Sequence, residues 1–254
     1  MQLKLTPLTG IPIVKPGDDL ADLIISALQH AGIHPEGGDI LVIAQKIVSK
    51  SEDRFVDLAN VSPSRAALDL AKKIDKDARL LELILRESKA VLRYRLGTII
   101  VEHKLGFICA NAGIDHSNVS KEFNSDQWVL LLPENPDHSA AVIRDKLEAW
   151  CSQTIGVMII DSHGRAWRLG TVGMAIGFSG MPGLVDLRGD PDLFGRILQV
   201  TQVGAADELA AAASLVMGQA AEGTPVVHVR GFPYALREGS LEELIRPEEE
   251  DMFR

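Results

Sequence analysis

The sequence is short of the residues that mark the specialised protein classes. Two of its 254 residues are cysteine, Cys109 and Cys151. That is too few for a disulfide framework or a cysteine-rich zinc site, and it fits a reducing cytoplasm. No apolar run approaches the ~18–20 residues that cross a bilayer. The start, Met1 to Pro7, lacks the basic-then-apolar layout of a secretory signal. A cytoplasmic protein with no membrane partner is expected. Positive charge is also scarce: 26 Lys and Arg against 35 Asp and Glu leave a net charge of −9. Most of such a surface repels a phosphate backbone, so no nucleic-acid partner is expected. Part of the excess lies in Glu248-Glu249-Glu250-Asp251, which reads as a solvated tail. G-x-x-x-x-G-K-[ST], strand-linked G-x-G-x-x-G, H-E-x-x-H and G-x-S-x-G are all absent, so the standard nucleotide folds and common hydrolase nucleophiles have no support.

What is present is an ordinary globular composition with strands and helices mixed throughout. Strands are expected at Leu3–Leu8, Asp39–Ile43, Thr98–Val101, Phe107–Cys109, Trp128–Leu132, Gly156–Asp161 and Pro225–Val229. Asp18 or Asp19 caps a helix running to about Gly32, and Ser62-Pro63-Ser64 opens another. Further helices are expected over Ala78–Glu87, Ser139–Gln153, and from Asp192 or Leu193 to about Gly218 with a break near Gly204. A helical turn follows from Leu241. Ala44 to Lys50 reads as a loop or a helix start. With no repeat and no low-complexity linker, residues 1–254 form one unit of mixed α/β class, more plausibly two interleaved lobes sharing a site than two independent domains.

Two polar clusters stand out. Asn111-Ala112-Gly113-Ile114-Asp115-His116-Ser117-Asn118 follows an expected strand and offers oxygen ligands, of the kind hard divalent cations take. It reads equally as an Asx-turn bonding its own backbone. Asp161-Ser162-His163-Gly164-Arg165 ends the cleanest buried-strand pattern in the chain, where open α/β sheets place ligands. Asp161 and Ser162 supply adjacent oxygens, and Arg165 and Arg168 offer planar forks for phosphate or carboxylate. The plain alternative is a strand-end Asp turning the chain into a hairpin. His163 reads as a surface or hydrogen-bonding histidine, and Cys109 as core. The glycines at 170, 173, 177, 180 and 183 favour close packing over a ligand cradle. Lys50 is either a solvated lysine or a point charge for a triphosphate. Met217 to Thr224 is either a helix C-cap or a loop around a nucleotide, and Asp207-Glu208, within the expected helix, is either a pair of ligand carboxylates or a helix-surface pair. None of these signals decides alone.

Together the segments resemble one family closely, the GTP-dependent coenzyme F420-0:L-glutamate ligases, or F420 γ-glutamyl ligases. The matching pieces are Gly38 to Val42, Ser49-Lys50-Ser51-Glu52, Asn111 to Asn118, Asp161 to Arg165, Val200-Thr201-Gln202, Ala206-Asp207-Glu208, Leu215 to Gly218 and Glu248 to Asp251, in family order. The resemblance implies a ligase that joins the amine of L-glutamate to a carboxylate of F420-0 and extends the tail through γ-carboxyl links. GTP is consumed through an acyl phosphate, and GDP and phosphate are released. It implies two Mg²⁺ or Mn²⁺ sites, with K⁺ as a further cation. Asp115 and Asp161 become metal carboxylates, with Ser162 and Gln219 at the second metal. Relatives commonly carry Thr at the first of these positions, so the hydroxyl survives. Some carry Glu at the second, where Gln219 keeps a carbonyl oxygen but no charge. Thr9, Gly10, Ile11, Pro12, Gln45, Lys46, Lys50, Asn118 and the loop Met217, Gly218, Gln219, Ala220, Ala221, Glu222, Gly223 and Thr224 become GTP contacts. The base for the glutamate amine is left unassigned.

The implied fold is an unusual mixed α/β arrangement, neither P-loop nor ATP-grasp, in an intertwined homodimer. Some relatives add a C-terminal flavin-binding nitroreductase-like domain; the chain stops after Arg254, so neither that domain nor FMN is expected. Two rival readings remain. One is a two-metal hydrolase of GTP or a phosphate ester built on the same carboxylates. The other is a GTP-binding module that no longer turns over.

Overall fold

The structure is a computed structural model that describes residues 2–119 and 127–252. In chain order its elements are β1 (Lys4–Pro7), α1 (Leu20–His30), β2 (Ile40–Ala44), α2 (Gln45–Ser51), β3 (Phe55–Asp57), α3 (Arg65–Ile74), α4 (Ala78–Arg86), β4 (Ser88–Arg95), β5 (Thr98–His103), β6 (Ile108–Ala110), β7 (Trp128–Leu130), α5 (Pro136–Cys151), β8 (Gly156–Arg165), β9 (Arg168–Ser179), β10 (Val185–Asp186), β11 (Gln202–Val203), α6 (Ala205–Met217) and β12 (Val226–Arg230). The fold is mixed α/β, and no helix among the described residues is long and apolar enough to cross a membrane.

A five-stranded sheet in the order β1-β12-β2-β8-β9 forms the framework. β2 and β8 run parallel, and the other neighbours are antiparallel. β2 is an unbroken apolar run because both its faces are covered. Leu41 and Ile43 join Val157 and Ile159 beneath α1 and α5. Ile40 and Val42 join Met158 and Ile160 against Ala206, Leu209, Ala210 and Ala213 of α6. A separate cluster holds Leu58, Leu81, Ile84, Ile99, Val101 and Val129, drawn from α4, β5, β7 and their links. There the small sheet β4-β5-β6 packs with α3 and α4. Phe107 touches both this cluster and the one beneath α1.

Local chemistry sets the helix ends. Asp19 caps α1 by accepting from the amides of Ala21 and Asp22. Ser64 caps α3, accepting from Ala67, so Pro63 lies before the helix and not in its first turn. Asn135 caps α5, with Pro136 in its first turn, so that helix starts three residues before the expected Ser139.

Two further expectations are corrected, and one strand is added. Residues 192–204 are not helical. Asp192 accepts from the amides of Phe194 and Arg196, Gly195 adopts φ +83°, and the chain folds back so that β10 pairs with β11. An Asx-turn competes successfully with a helix there, and α6 begins only at Ala205. Asp161 is not at a strand end, because β8 continues to Arg165 and pairs with β9 throughout. Ser88–Arg95 is a strand the sequence did not announce.

Candidate active site

The parallel pairing of β2 with β8 stops at Ala44 opposite Ile160. Beyond that point β2 turns directly into α2, while β8 runs on for five residues with β9 alone. This leaves one edge of β8 open at Asp161, just past the carboxyl end of β2 and of its parallel pairing with β8, a place where α/β sheets bind ligands. A cavity of about 660 Å³ opens here. Its wall takes residues from the start of α2, the loop after β6, the extension of β8, the segment after α6 and the chain leading to α1.

The structure therefore brings most of the expected site residues to one place. Asp115, Asp161, Ser162, Gln45, Lys46, Lys50 and Asn118 all line the cavity. Ile11 and Pro12 line it from one side and Met217 to Thr224 from another, whereas Thr9 and Gly10 lie outside the wall. The glycines from 170 to 183 are also outside it. Gly173 lies against the Ala210 carbonyl of α6, Gly177 against the backbone of Pro136, and Gly183 against the Phe178 ring. Close packing accounts for these three.

Asp115 is delivered by an unusual turn. Asn111, Ala112 and Gly113 have φ of 53°, 53° and 66° in succession, all left-handed. For Asn111 and Ala112 that conformation is held at a local cost. At Gly113 a Cβ would sit 2.6 Å from Leu132 Cδ1, so any larger residue must displace that side chain. The turn ends where the Asp115 and Leu130 backbones exchange two hydrogen bonds of 2.9 Å. Asp115 Oδ2 accepts from Gln45 Nε2 at 2.5 Å, and Oδ1 lies 3.3 Å from Lys46 Nζ. Lys46 Nζ also donates to Ser117 Oγ at 3.3 Å. Burial, with the nearby Asp161 charge acting in the same direction and Lys46 against it, pushes the Asp115 carboxyl up to about 6.

Asp161 faces the same space, and His163 Nε2 lies 3.1 Å from its Oδ2. Burial opposes ionisation of Asp161, but the His163 contact and the Ser162 amide outweigh it and hold the carboxyl below the usual range. Across the cavity Ser162 Oγ donates to Gln219 Oε1 at 2.7 Å, while Gln219 Nε2 donates to Ser214 Oγ at 2.6 Å. Lys50 Nζ donates to the Asn118 carbonyl at 2.6 Å, and Asn118 Nδ2 reaches the Ala220 carbonyl at 3.3 Å. Burial, then the neighbouring Lys46, lowers the Lys50 ammonium. Thus the loop after β6 stands between α2 and the loop after α6.

Asp207 is not a surface acid. It accepts from the Ala175 amide at 3.0 Å, next to an irregularity where Ile176 is the extra residue of β9 between the partners of Ile159 and Ile160. His163, Ser49, Ser117 and Ser214 were not singled out as site residues. For two of them a spacing signal existed: His163 is two residues from Asp161 on a strand, and Ser49 is four from Gln45 on a helix. The oxygen-only set of Asp115, Asp161, Ser162 and Gln219 suits a hard cation. Two carboxylates face each other's charge, and the Lys46 ammonium already stands beside one of them. Among the described residues no three His, Cys, Asp or Glu side chains gather as a metal cage, so neutral oxygens or a ligand's own oxygens must complete any coordination.

Residues 10–231 match the family described as F420-0:Gamma-glutamyl ligase. The chain is 46% identical to a coenzyme F420:L-glutamate ligase of Methanothermobacter thermautotrophicus, covering 100% of each chain. It is 45% identical to the enzyme of that name from Methanocaldococcus jannaschii, over 96% of this chain and 94% of the other. With the one from Archaeoglobus fulgidus the figures are 42%, 100% and 97%. The chain is an amide-forming enzyme by family, and it belongs to the F420-0:γ-glutamyl ligases.

Proposed function

We propose that this chain ligates L-glutamate to coenzyme F420-0 and extends a γ-linked glutamate tail, with GTP as the energy source. The observation that carries the reading is the meeting of Asp115, Asp161, Lys46 and Lys50 at one cavity in a chain of this family. A carboxylate is a poor acceptor for an amine, so it must first be activated. A carboxylate oxygen of the acceptor attacks the γ-phosphorus of GTP, the bond to the β–γ bridging oxygen breaks, and GDP leaves. The glutamate amine then attacks the acyl carbon, phosphate departs with the C–O bond pair, and the amine loses a proton. The products are an amide, GDP and phosphate.

The reading assigns the triphosphate to Lys46, Lys50, Asn118 and the loop 217–224. Asp115 and Asp161 would hold Mg²⁺ or Mn²⁺, with Ser162 and Gln219 adding neutral oxygens. The bound cation supplies neutralisation of the transferring phosphoryl charge. Asp161→Asn is expected to abolish turnover and leave cooperative unfolding intact. Near-normal activity in the folded variant would remove Asp161 from the mechanism.

The test is GDP release from GTP with Mg²⁺ or Mn²⁺ and K⁺ present, with mass spectrometry of F420-0, each with and without L-glutamate. GDP formation that needs both acceptor and glutamate, with the acceptor gaining glutamyl mass, is the expected result. GDP formation independent of both identifies a hydrolase, and GTP binding without turnover identifies a binding module. The chain is further proposed to work as a homodimer. Trp167 and Leu169 in and beside the β8–β9 turn are 87% and 98% exposed, and Leu193 and Phe194 are 97% and 94% exposed.

A further inference from the structure

We infer that Ser49 and His163 are positioning residues that aim the two carboxylates, Ser49 acting on Asp115 through Gln45 and His163 acting directly on Asp161. The inference rests on the cation-binding role proposed above for Asp115 and Asp161.

Ser49 is fully buried and stands outside the cavity wall. It sits one helical turn after Gln45 in α2, and its Oγ donates to Gln45 Oε1 at 2.9 Å. Asp115 only accepts, so the Gln45 amide turns its nitrogen to the carboxylate, donating to Oδ2 at 2.5 Å, and the Ser49 hydroxyl holds the amide there by donating to its oxygen. Gln45 is itself only 2% exposed, so an amide turned the other way would set its oxygen against a carboxylate oxygen in a buried place. The hydroxyl therefore steadies the amide that holds one oxygen of Asp115, while the other, Oδ1, is turned to the cation Lys46.

Asp161 is held from its own strand, β8. His163 is 5% exposed and two residues along β8, on the same side of the strand. Its ring is braced by Phe107, with centroids 5.1 Å apart, and its Nε2 takes Asp161 Oδ2 at 3.1 Å. Each carboxylate thus has one oxygen held by a side-chain nitrogen of its own framework, Asp115 by Gln45 and Asp161 by His163. Gln45, read from the family resemblance as a nucleotide contact, also donates its amide to Asp115.

The test is Mn²⁺ binding to the whole purified chain, followed by electron paramagnetic resonance of free Mn²⁺ with no nucleotide present. Ser49→Ala and His163→Phe are each expected to weaken binding about tenfold, in the range found for residues that orient metal ligands. Gln45→Leu is expected to weaken it at least as much as Ser49→Ala. Adding Ser49→Ala to Gln45→Leu should then change nothing further, because the hydroxyl acts only through the amide. Adding His163→Phe should multiply the loss, because it acts on the other carboxylate. Wild-type Mn²⁺ affinity in folded Ser49→Ala and His163→Phe would overturn the proposal, as would a Ser49→Ala loss that persists undiminished in the Gln45→Leu background. If Ser49→Ala does not fold, Gln45→Leu and His163→Phe carry the test. If the wild-type chain binds Mn²⁺ no better than Asp115→Asn/Asp161→Asn, the metal reading itself falls and this inference with it.

Discussion

Asp115 is held in a place that disfavours its charge, even with Lys46 beside it. Its carboxyl is raised from 3.8 to about 6, first by burial. A carboxyl that binds its proton more tightly when folded than when unfolded lowers stability as pH rises between those two values. The penalty begins near pH 4, is complete a little above pH 6, and amounts to about 3 kcal/mol at most. Asp115→Asn is therefore expected to melt higher than the wild type in EDTA at pH 7.5 while losing activity. That advantage should shrink as the pH is lowered through 6 toward 4. Thermal unfolding across that range checks it, and a variant less stable at pH 7.5 than at pH 4.5, relative to the wild type, would contradict it. A second strain lies just upstream, where buried Ala112 holds φ at 53°. Both are the kind of local cost expected where geometry serves a ligand.

At the scale of elements, β9 shows how glycine sets the distance between layers. A Cβ on Gly177 would lie 2.4 Å from Pro136 Cβ and 2.5 Å from the Pro136 carbonyl carbon at the start of α5. Backbone cannot rotate away as a side chain can. Gly177→Ala is accordingly expected to destabilise by about 3 kcal/mol, the upper part of the range for overpacking, read as a lower denaturation midpoint in urea. Wild-type stability in that variant would mean that α5 is free to shift. This role was legible only as a preference for packing among the glycines, and the strand itself was not, because Gly-rich sequence carries no alternation to read. β2, β8 and β12 were legible, since strands covered on both faces leave continuous apolar runs. β4 was hidden for the opposite reason: it is mostly exposed, and Lys89, Arg93 and Arg95 break its pattern. In the site, Asp115 and Asp161 each stood out within a polar cluster. Their meeting across 46 positions was not deducible from spacing and came from the family resemblance, and the Ser49–Gln45 contact came only from the structure.

The false helix over 192–204 has a meaning for the whole molecule. Leu193, Phe194, Ile197 and Val200 fall at helix-like intervals, and so they imitate an amphipathic helix with a face to bury. In the folded chain that face is not buried: Leu193, Phe194 and Val200 are 97%, 94% and 84% exposed. Each such side chain forgoes roughly 1.5–3 kcal/mol of burial. Apolar residues concentrated in one hairpin mark an association surface more readily than single exposed leucines do. With Trp167 and Leu169 also outward, the described chain has apolar surface that a second copy would cover, which agrees with the proposed homodimer. Light scattering at micromolar concentration should then return about twice the 27.5 kDa of the chain. Leu193→Glu/Phe194→Glu should return the mass of one chain while keeping helical circular dichroism, because neither residue contributes to a core. A wild-type mass of one chain, or an unchanged dimer in the double variant, would remove this hairpin from the interface and leave its exposed side chains to some other partner.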